Sequence, residues 1–533
     1  MQLYLGYSLI LLICCVVVLV ALGKIKEKFY PYIIFGISII MVLTTTLAGP
    51  NLVGSDIHLD YYYAQLRNGR DVLPPLVGQP QGTSILAYLT DWIWAYKIIY
   101  PLMFCIVPIL MYYIFRRWTD STKSFMGSFF FIAFPVFFLE LPTIPKQMVA
   151  QLFFMGGLTL ILLNRQEKKL NLLLIIIIGL VPLLHYSIGI LGSIILGMGL
   201  LTAIILKHKV RKPLLMGFLS IIIVSSIYFP IAEDGAVYKK LGFLYNSFVP
   251  PPIQISFPPV EQPTDQVPDI TMPGEKVPFL DRYETLLKSG LGLDFLEVSF
   301  LGKVFRILQW GLLCLLCVGL WKLRKIKEFL IMSSGFVAIV VLLVVPGWAG
   351  IMNSSRFIHV ALLMLALPVA IPLKPKFLLL FLIPYFLFTS GFIFEVTKQP
   401  AVDTYDIPYS IGLSDYRIDL GASLTEDDIK VRQYVLDNET FPLTSDLWGS
   451  HFLIQEIGDK PNLNKSLPQD PKPITGYIFI RSRNVQDGTL TVWNGIGLRK
   501  FVEPELYSID WESNIVYKSG ESRLLEIREE HED

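Results

Sequence analysis

Long apolar runs recur along this chain, and clusters of lysine and arginine fall in every second connection between them. This pattern constrains the fold more than any other feature. A helix needs ~20 apolar residues to cross the hydrocarbon of a bilayer, and only helices or closed barrels satisfy their backbone polar groups there. Twelve candidate spans can be drawn, near residues 3–23, 30–48, 98–115, 124–141, 146–163, 171–186, 188–206, 214–231, 303–321, 329–346, 357–372 and 376–394. Composition agrees, with 53% hydrophobic and 17% charged residues. One ordinary soluble domain is thereby excluded. The expected fold is an α-helical polytopic membrane protein of about twelve transmembrane helices. The first run has no basic residue before it and no small-residue cleavage site after it, so it reads as a retained helix.

The basic clusters are Lys24/Lys26/Lys28, Arg116/Arg117/Lys123, Arg165/Lys168/Lys169, Lys207/Lys209/Arg211/Lys212, Lys322/Arg324/Lys325/Lys327 and Lys374/Lys376. By the positive-inside rule they mark cytoplasmic connections. The N-terminus, the loops around 49–97, 140–146, 185–187, 232–302 and 347–356, and everything after about residue 395 then face outward. The formal net charge is only +1, and no basic stripe suited to nucleic acid is present. All five cysteines (Cys14, Cys15, Cys105, Cys314, Cys317) lie in apolar runs, where neither a disulfide nor a zinc site is expected.

Two regions depart from the helical pattern. In the loop 232–302, nine prolines from Pro250 to Pro278 preclude a long helix or a regular sheet; the loop reads either as a spacer or as a flap over an outward cavity. Residues 1–394 form the expected membrane domain, and residues 395–533 a small α/β domain. Within the latter, Thr425–Asn438 is helix-like, while Tyr477–Arg481, Thr489–Trp493 and Asn514–Tyr517 are strand-like.

Polar residues in or beside spans are costly and call for an explanation. The segment Gly54-Ser55-Asp56-Ile57-His58-Leu59-Asp60-Tyr61-Tyr62-Tyr63-Ala64 follows the second apolar run directly. If Ser55 starts a helix, Asp56 and Asp60 share one face, one turn apart. Capping accounts for Asp56 but leaves Asp60 unexplained; His58 points off the acidic face and suits an orienting role. Glu140 and Lys146 flank the Pro-bearing connection 141–145, which keeps an acid and a base near each other, with Gln147 following. As alternatives, both residues could be ordinary interfacial side chains. His185-Tyr186 separate the sixth and seventh runs, with His185 either a satisfied interhelical histidine or a ligand. Arg356 is suited to gripping an anion with two bonds, and His359 follows it by one turn. A phosphate-binding P-loop, a dinucleotide fingerprint, H-E-x-x-H and G-x-S-x-G are all missing from the sequence. The triplets at Asn353, Asn438 and Asn464 match N-x-[ST].

These segments together resemble the GT-C superfamily of polytopic glycosyltransferases, whose first long outer loop carries an acidic motif followed by an amphipathic helix. A closer likeness is to an uncharacterised, largely archaeal family of multi-spanning proteins assigned to that fold. It rests on Gly54 through Tyr62, Lys97-Ile98-Ile99-Tyr100-Pro101-Leu102, Phe137-Phe138-Leu139-Glu140 through Lys146-Gln147, His185-Tyr186 and the start of the C-terminal region at Tyr405-Asp406-Ile407-Pro408. Two features depart from it. A lysine stands at 146 where that family commonly has arginine, and a further span precedes the usual first.

The resemblance implies inverting transfer of a sugar from a polyprenyl-phosphate carrier to a glycan, lipid or protein acceptor, at the outer face of an archaeal or bacterial plasma membrane. Asp56 would be the base, and Asp60 and Glu140 would orient it or the sugar, or join Asp56 in binding a divalent cation, Mg or Mn. Lys146, Gln147, His58, His185, Tyr186, Arg356 and His359 would contact substrate or its phosphate. Two other readings stay open, a transporter or flippase of lipid-linked glycans and a non-enzymatic envelope-assembly protein.

Overall fold

The computed structural model describes residues 2–47, 52–54, 57–58, 60–61, 64, 90, 92–163, 168–231, 287, 291–343, 354–398, 424–438, 442–446, 449–450, 453, 463–467, 476–488, 490–493, 499–502, 509 and 514–527. Asp56, Asn353, Tyr405 to Pro408 and the proline-rich stretch 250–278 lie outside the described residues.

Every apolar run carries a helix. They are α1 (Gln2–Ala21), α2 (Tyr30–Thr46), α3 (Ala95–Phe115), α4 (Ser121–Ala133), α5 (Pro145–Leu163), α6 (Lys168–Leu184), α7 (Tyr186–Ile205), α8 (Arg211–Ile231), α9 (Phe300–Leu323), α10 (Lys327–Leu342), α11 (Ser354–Ala370) and α12 (Pro375–Thr389), followed by the short α13 (Phe392–Thr397). The chain is a helical membrane protein, but the expected twelve crossings are not reproduced. Among the described residues, six helices are long and apolar enough to cross, or seven if α4 and Val136–Thr143, bent by 57° relative to each other, make one broken span. The reason is length. At 1.5 Å per residue, the 15 residues of α12 or the 16 of α10 fall well short of ~30 Å of hydrocarbon. A run of apolar residues sets the helical state without setting its reach.

The helices pack through an apolar core that links α1 through α12. Two crossings are especially close. A Cβ on Gly335 of α10 would strike the backbone of Ile195 in α7, and one on Gly319 of α9 would strike the backbone of Pro368 in α11. Small residues allow such approach, which matters where lipid supplies no hydrophobic drive for helices to associate.

Contacts between helix ends sort the connections into two groups. At one end, Glu27 bonds Ser121 Oγ, Arg117 Nη2 pairs with Glu328 Oε1 at 2.7 Å, and Lys322 Nζ donates to the Pro372 carbonyl at 3.4 Å. The packing of Gly199 against Ile331 brings the α7–α8 connection to this same end. The basic clusters around residues 24–28, 116–123, 207–212, 322–327 and 374–376 therefore gather together. The described residues 52–54, 57–58, 60–61, 95–97, 138–147 and 354–356 meet at the other end.

Beyond α13 the chain forms a small α/β unit. Helix α14 (Glu426–Asn438) precedes strands β1 (Leu443–Ser445), β2 (Leu463–Ser466) and β3 (Gly476–Ile480), then α15 (Ser482–Asp487), β4 (Leu490–Trp493), β5 (Arg499–Val502), β6 (Ile515–Ser519) and β7 (Ser522–Ile527). The main sheet has the order β2-β1-β3-β7-β6, parallel across β2-β1-β3 and antiparallel beyond; β4 and β5 form a separate pair. At the carboxyl ends of β1 and β3, Arg481 grips Asp446 with bonds of 3.1 and 2.8 Å. Asn484 Nδ2 and the Gly449 amide also donate to that carboxylate, each at 2.8 Å. Burial alone would raise the Asp446 pKa, but the Arg481 charge and these hydrogen bonds outweigh it and hold the carboxyl below its ordinary 3.8.

Three outcomes follow from these contacts. Gly335→Leu must force α7 and α10 apart and should lower the thermal midpoint of the purified protein; an unchanged midpoint would contradict the close crossing. Because the folded Asp446 pKa is depressed, its contribution to stability is present above the ordinary carboxyl value and lost as pH falls through the folded one. Amide-exchange protection of β1 and β3 should hold near neutral pH and fall away below about pH 4. Asp446→Ala should reduce that protection at neutral pH by about 3–5 kcal/mol, because it strands a buried guanidinium.

Candidate active site

The end of the bundle opposite the basic connections is built around a buried ion pair. Lys146, in the first turn of α5, reaches Asp60 Oδ1 at 3.3 Å, and both side chains are almost wholly shielded. Asp60 belongs to a segment with helical positions at Ile57, His58, Asp60, Tyr61 and Ala64. That segment is held in several ways. Tyr96 donates its hydroxyl to the Asp60 carbonyl at 3.5 Å, the Tyr61 ring meets Tyr96 edge-on at 5.5 Å, and Tyr96 meets Tyr100 likewise at 5.3 Å. Ile57 and His58 are buried beside them. Gly54 starts the segment at φ +117°, a conformation that side chains disfavour, and a Cβ there would collide with Thr143. Thr45 Oγ1 donates to the Phe138 carbonyl and ties the end of α2 to the same wall.

A second, half-buried ion pair stands at this end. Arg356 Nε donates to Glu140 Oε2 at 3.1 Å, and Ser355 Oγ donates to the same carboxylate at 2.9 Å. Glu140 ends the turn Val136–Glu140, where the chain leaves α4 after its bend, and Thr143 Oγ1 caps the Glu140 carbonyl at 2.7 Å. The sequence suggests Glu140 and Lys146 as neighbours across 141–145. The structure instead pairs each with a distant residue, Glu140 with the start of α11 and Lys146 with the segment after α2.

The remaining expected residues are distributed as follows. Gln147 is fully buried next to Lys146. His185 caps α7, its Nδ1 accepting from the Ile188 amide at 3.4 Å, and its ring stacks on Tyr186 at 5.5 Å; this is a cap on its own helix, whereas the sequence offers an interhelical histidine or a ligand. His359 is fully buried on α11 and stacks on Phe131 at 4.2 Å, with Phe104, Phe134 and Phe137 around it. That aromatic nest separates it from the Glu140–Arg356 pair, although Arg356 lies only one turn away.

Of the three acids expected to share a cation, Asp56 lies outside the described residues. Asp60 and Glu140 each hold their own basic partner, and no three His, Cys, Asp or Glu converge among the described residues. The arrangement is that of two cations each oriented by a carboxylate, the Lys146 pair buried and the Arg356 pair half-buried.

Sequence reasoning gave no role to Ser355 or Tyr96, or to Lys97, which is buried at the start of α3 with its ammonium 5.8 Å from the Trp94 ring centre. The sequence marks the last only as a lysine opening an apolar run, within the segment Lys97–Leu102 quoted for the resemblance. It also overlooked the buried pair of Arg306 and Asp294, whose two bonds of 2.7 and 2.6 Å anchor the chain that enters α9.

No protein-family model matches the chain, and no curated protein does.

If Lys146 serves to hold Asp60 in place, Lys146→Met strands a buried carboxylate and should cost about 3–5 kcal/mol of stability. Adding Asp60→Asn to Lys146→Met should recover part of that loss. A double-mutant cycle read by thermal unfolding checks this; strictly additive losses would contradict the pairing.

Proposed function

We propose that this protein is an integral-membrane glycosyltransferase that moves a sugar from a polyprenyl-phosphate carrier to an acceptor hydroxyl, with inversion at the anomeric carbon. The observation that carries the reading is the buried Asp60–Lys146 pair at the end of the bundle opposite the basic connections. A buried pair adds little stability over apolar packing and is costly to break, so its presence at a membrane face favours a chemical use. The positive-inside rule assigns the basic end to the cytoplasm. The pair then lies on the outer face, away from cytoplasmic nucleotide sugars, and a lipid-borne donor is the suitable one.

The likeness to GT-C transferases supplies the roles. Asp56, four residues before Asp60 in sequence, takes the proton of the acceptor hydroxyl as its oxygen bonds the anomeric carbon. The bond from that carbon to the phosphate oxygen breaks, and the oxygen leaves with the electron pair. Lys146 and Arg356 stabilise the charge that accumulates on the phosphate. Asp60 and Glu140 are positioning residues that hold those cations in place before the substrate arrives. Gln147 and His58 line the same surroundings. The C-terminal α/β unit is assigned to the outer face with the site.

Membranes containing the protein, supplied with labelled polyprenyl-phosphate sugars and outer-face acceptors, provide the test. Asp56→Asn should lower transfer by about 10²–10⁴-fold, the range of a general base. Equal transfer by both proteins would overturn the assigned base. No transfer from any donor would overturn the enzymatic reading in favour of transport or assembly.

A further inference from the structure

A second buried cation stands beside the Asp60–Lys146 pair. Thr45, Thr46, Leu52, Val53, Ile57, Tyr96, Lys97 and Pro142 line a narrow crevice at this end of the bundle, closed to water in this structure, so that a ligand enters only as its walls part. Lys97 is almost fully buried there, although it begins an apolar helix with lipid-length reach. Facing the same crevice, Thr46 Oγ1 is buried and lacks a hydrogen-bond partner among the described residues. A buried hydroxyl without a partner carries a desolvation cost of about 1–3 kcal/mol that a ligand acceptor would relieve.

We propose that this crevice is a phosphate-binding subsite, with Lys97 as its cation and the Thr46 hydroxyl as a donor, and that it receives the phosphate of the lipid carrier. The inference rests on the transferase reading for the identity of that carrier. Three features support it. Phosphate oxygens accept several hydrogen bonds at once and favour a compact ammonium together with hydroxyl donors. The walls contributed by Leu52, Val53, Ile57 and Pro142 are apolar, which strengthens the attraction between ammonium and phosphate. The crevice also shares its wall with the site, since Tyr96 lines it and donates to the Asp60 carbonyl, and Ile57 belongs to the same segment as Asp60. A phosphate held at Lys97 therefore brings the donor up to the acidic segment, while Lys146 and Arg356 remain for the charge that develops on departure.

Binding to the purified full-length protein tests this with farnesyl phosphate, farnesol and inorganic phosphate as probes. Wild type should bind farnesyl phosphate and discriminate against farnesol. Lys97→Met should weaken farnesyl phosphate binding by about tenfold or more, the scale of a charged hydrogen bond, and Thr46→Val by about fivefold, the scale of a neutral one. Lys97→Arg should retain most of the affinity. Competition by inorganic phosphate would extend the site to the free anion, whereas lack of competition would assign it to the lipid-borne one; both keep the subsite. Equal binding by wild type and Lys97→Met, or equal binding of farnesol and farnesyl phosphate, overturns it. Should Lys97→Met fail to purify as a single species, an unchanged affinity in Thr46→Val overturns it alone. Sugar transfer with Lys97-independent binding removes the subsite and leaves the transferase standing. Lys97-dependent binding with no transfer does the reverse.

Discussion

A charge inside a membrane protein persists only when its partner is held with it, and the Asp60–Lys146 pair depends on that condition. Its two members come from segments 86 residues apart, so the pair fixes how the chain after α2 docks on the start of α5. The supporting contacts all serve this docking. Gly54 lets the backbone pass Thr143, Tyr96 holds the Asp60 carbonyl, and Thr45 bonds the wall at Phe138. The same solution recurs at Arg306–Asp294 where the chain enters α9, and at Arg481–Asp446 between two parallel strands. In each, a buried acid pins two pieces of chain that apolar packing alone would leave free to slide.

The bundle has two unlike ends, and the functional reading comes from that difference. One end gathers lysines and arginines that solvate at the surface and cross-link by exposed contacts such as Arg117–Glu328. Such pairs contribute little to stability. At the other end, the pairs Asp60–Lys146, Glu140–Arg356 and Asp294–Arg306 are buried or half-buried. On the proposed function, acids that orient cations beside apolar walls would receive a phosphate, because the cost of fixing the charges is met during folding and not at the moment of reaction. Two histidines of this end have structural surroundings: His359 is enclosed by four phenylalanines, and His185 caps α7.

The helices were legible because the bilayer leaves the backbone little choice, and apolar runs report that directly. Their reach was not, since proline, bends and buried short helices end a helix before the apolar run ends; α4 breaks at Phe134-Pro135, inside what the sequence offers as one span. In the C-terminal unit, α14, β3, β4 and β6 lie close to the expected segments. Strands β1 and β2, of three and four residues, are too short for alternation to appear. At the site, the residue types were readable and their pairing was not. Glu140 and Lys146 look like partners because they are close in sequence, whereas packing of α11 on the α4 bend, and of Asp60 on α5, chose other partners for both. Lys97 enters the sequence reading only within the segment Lys97–Leu102 that carries the resemblance, and nothing in the spacing shows that it is buried.

The central claim is that the paired acids and cations at one end of the bundle receive a polyprenyl phosphate. Photo-crosslinking with a diazirine-bearing polyprenyl phosphate, followed by peptide mapping, tests it directly. Adducts should concentrate on residues 52–64, 95–100, 138–147 and 354–359 and be displaced by unlabelled polyprenyl phosphate. Adducts concentrated on the basic end, or spread over the lipid-facing helices without displacement, would contradict it.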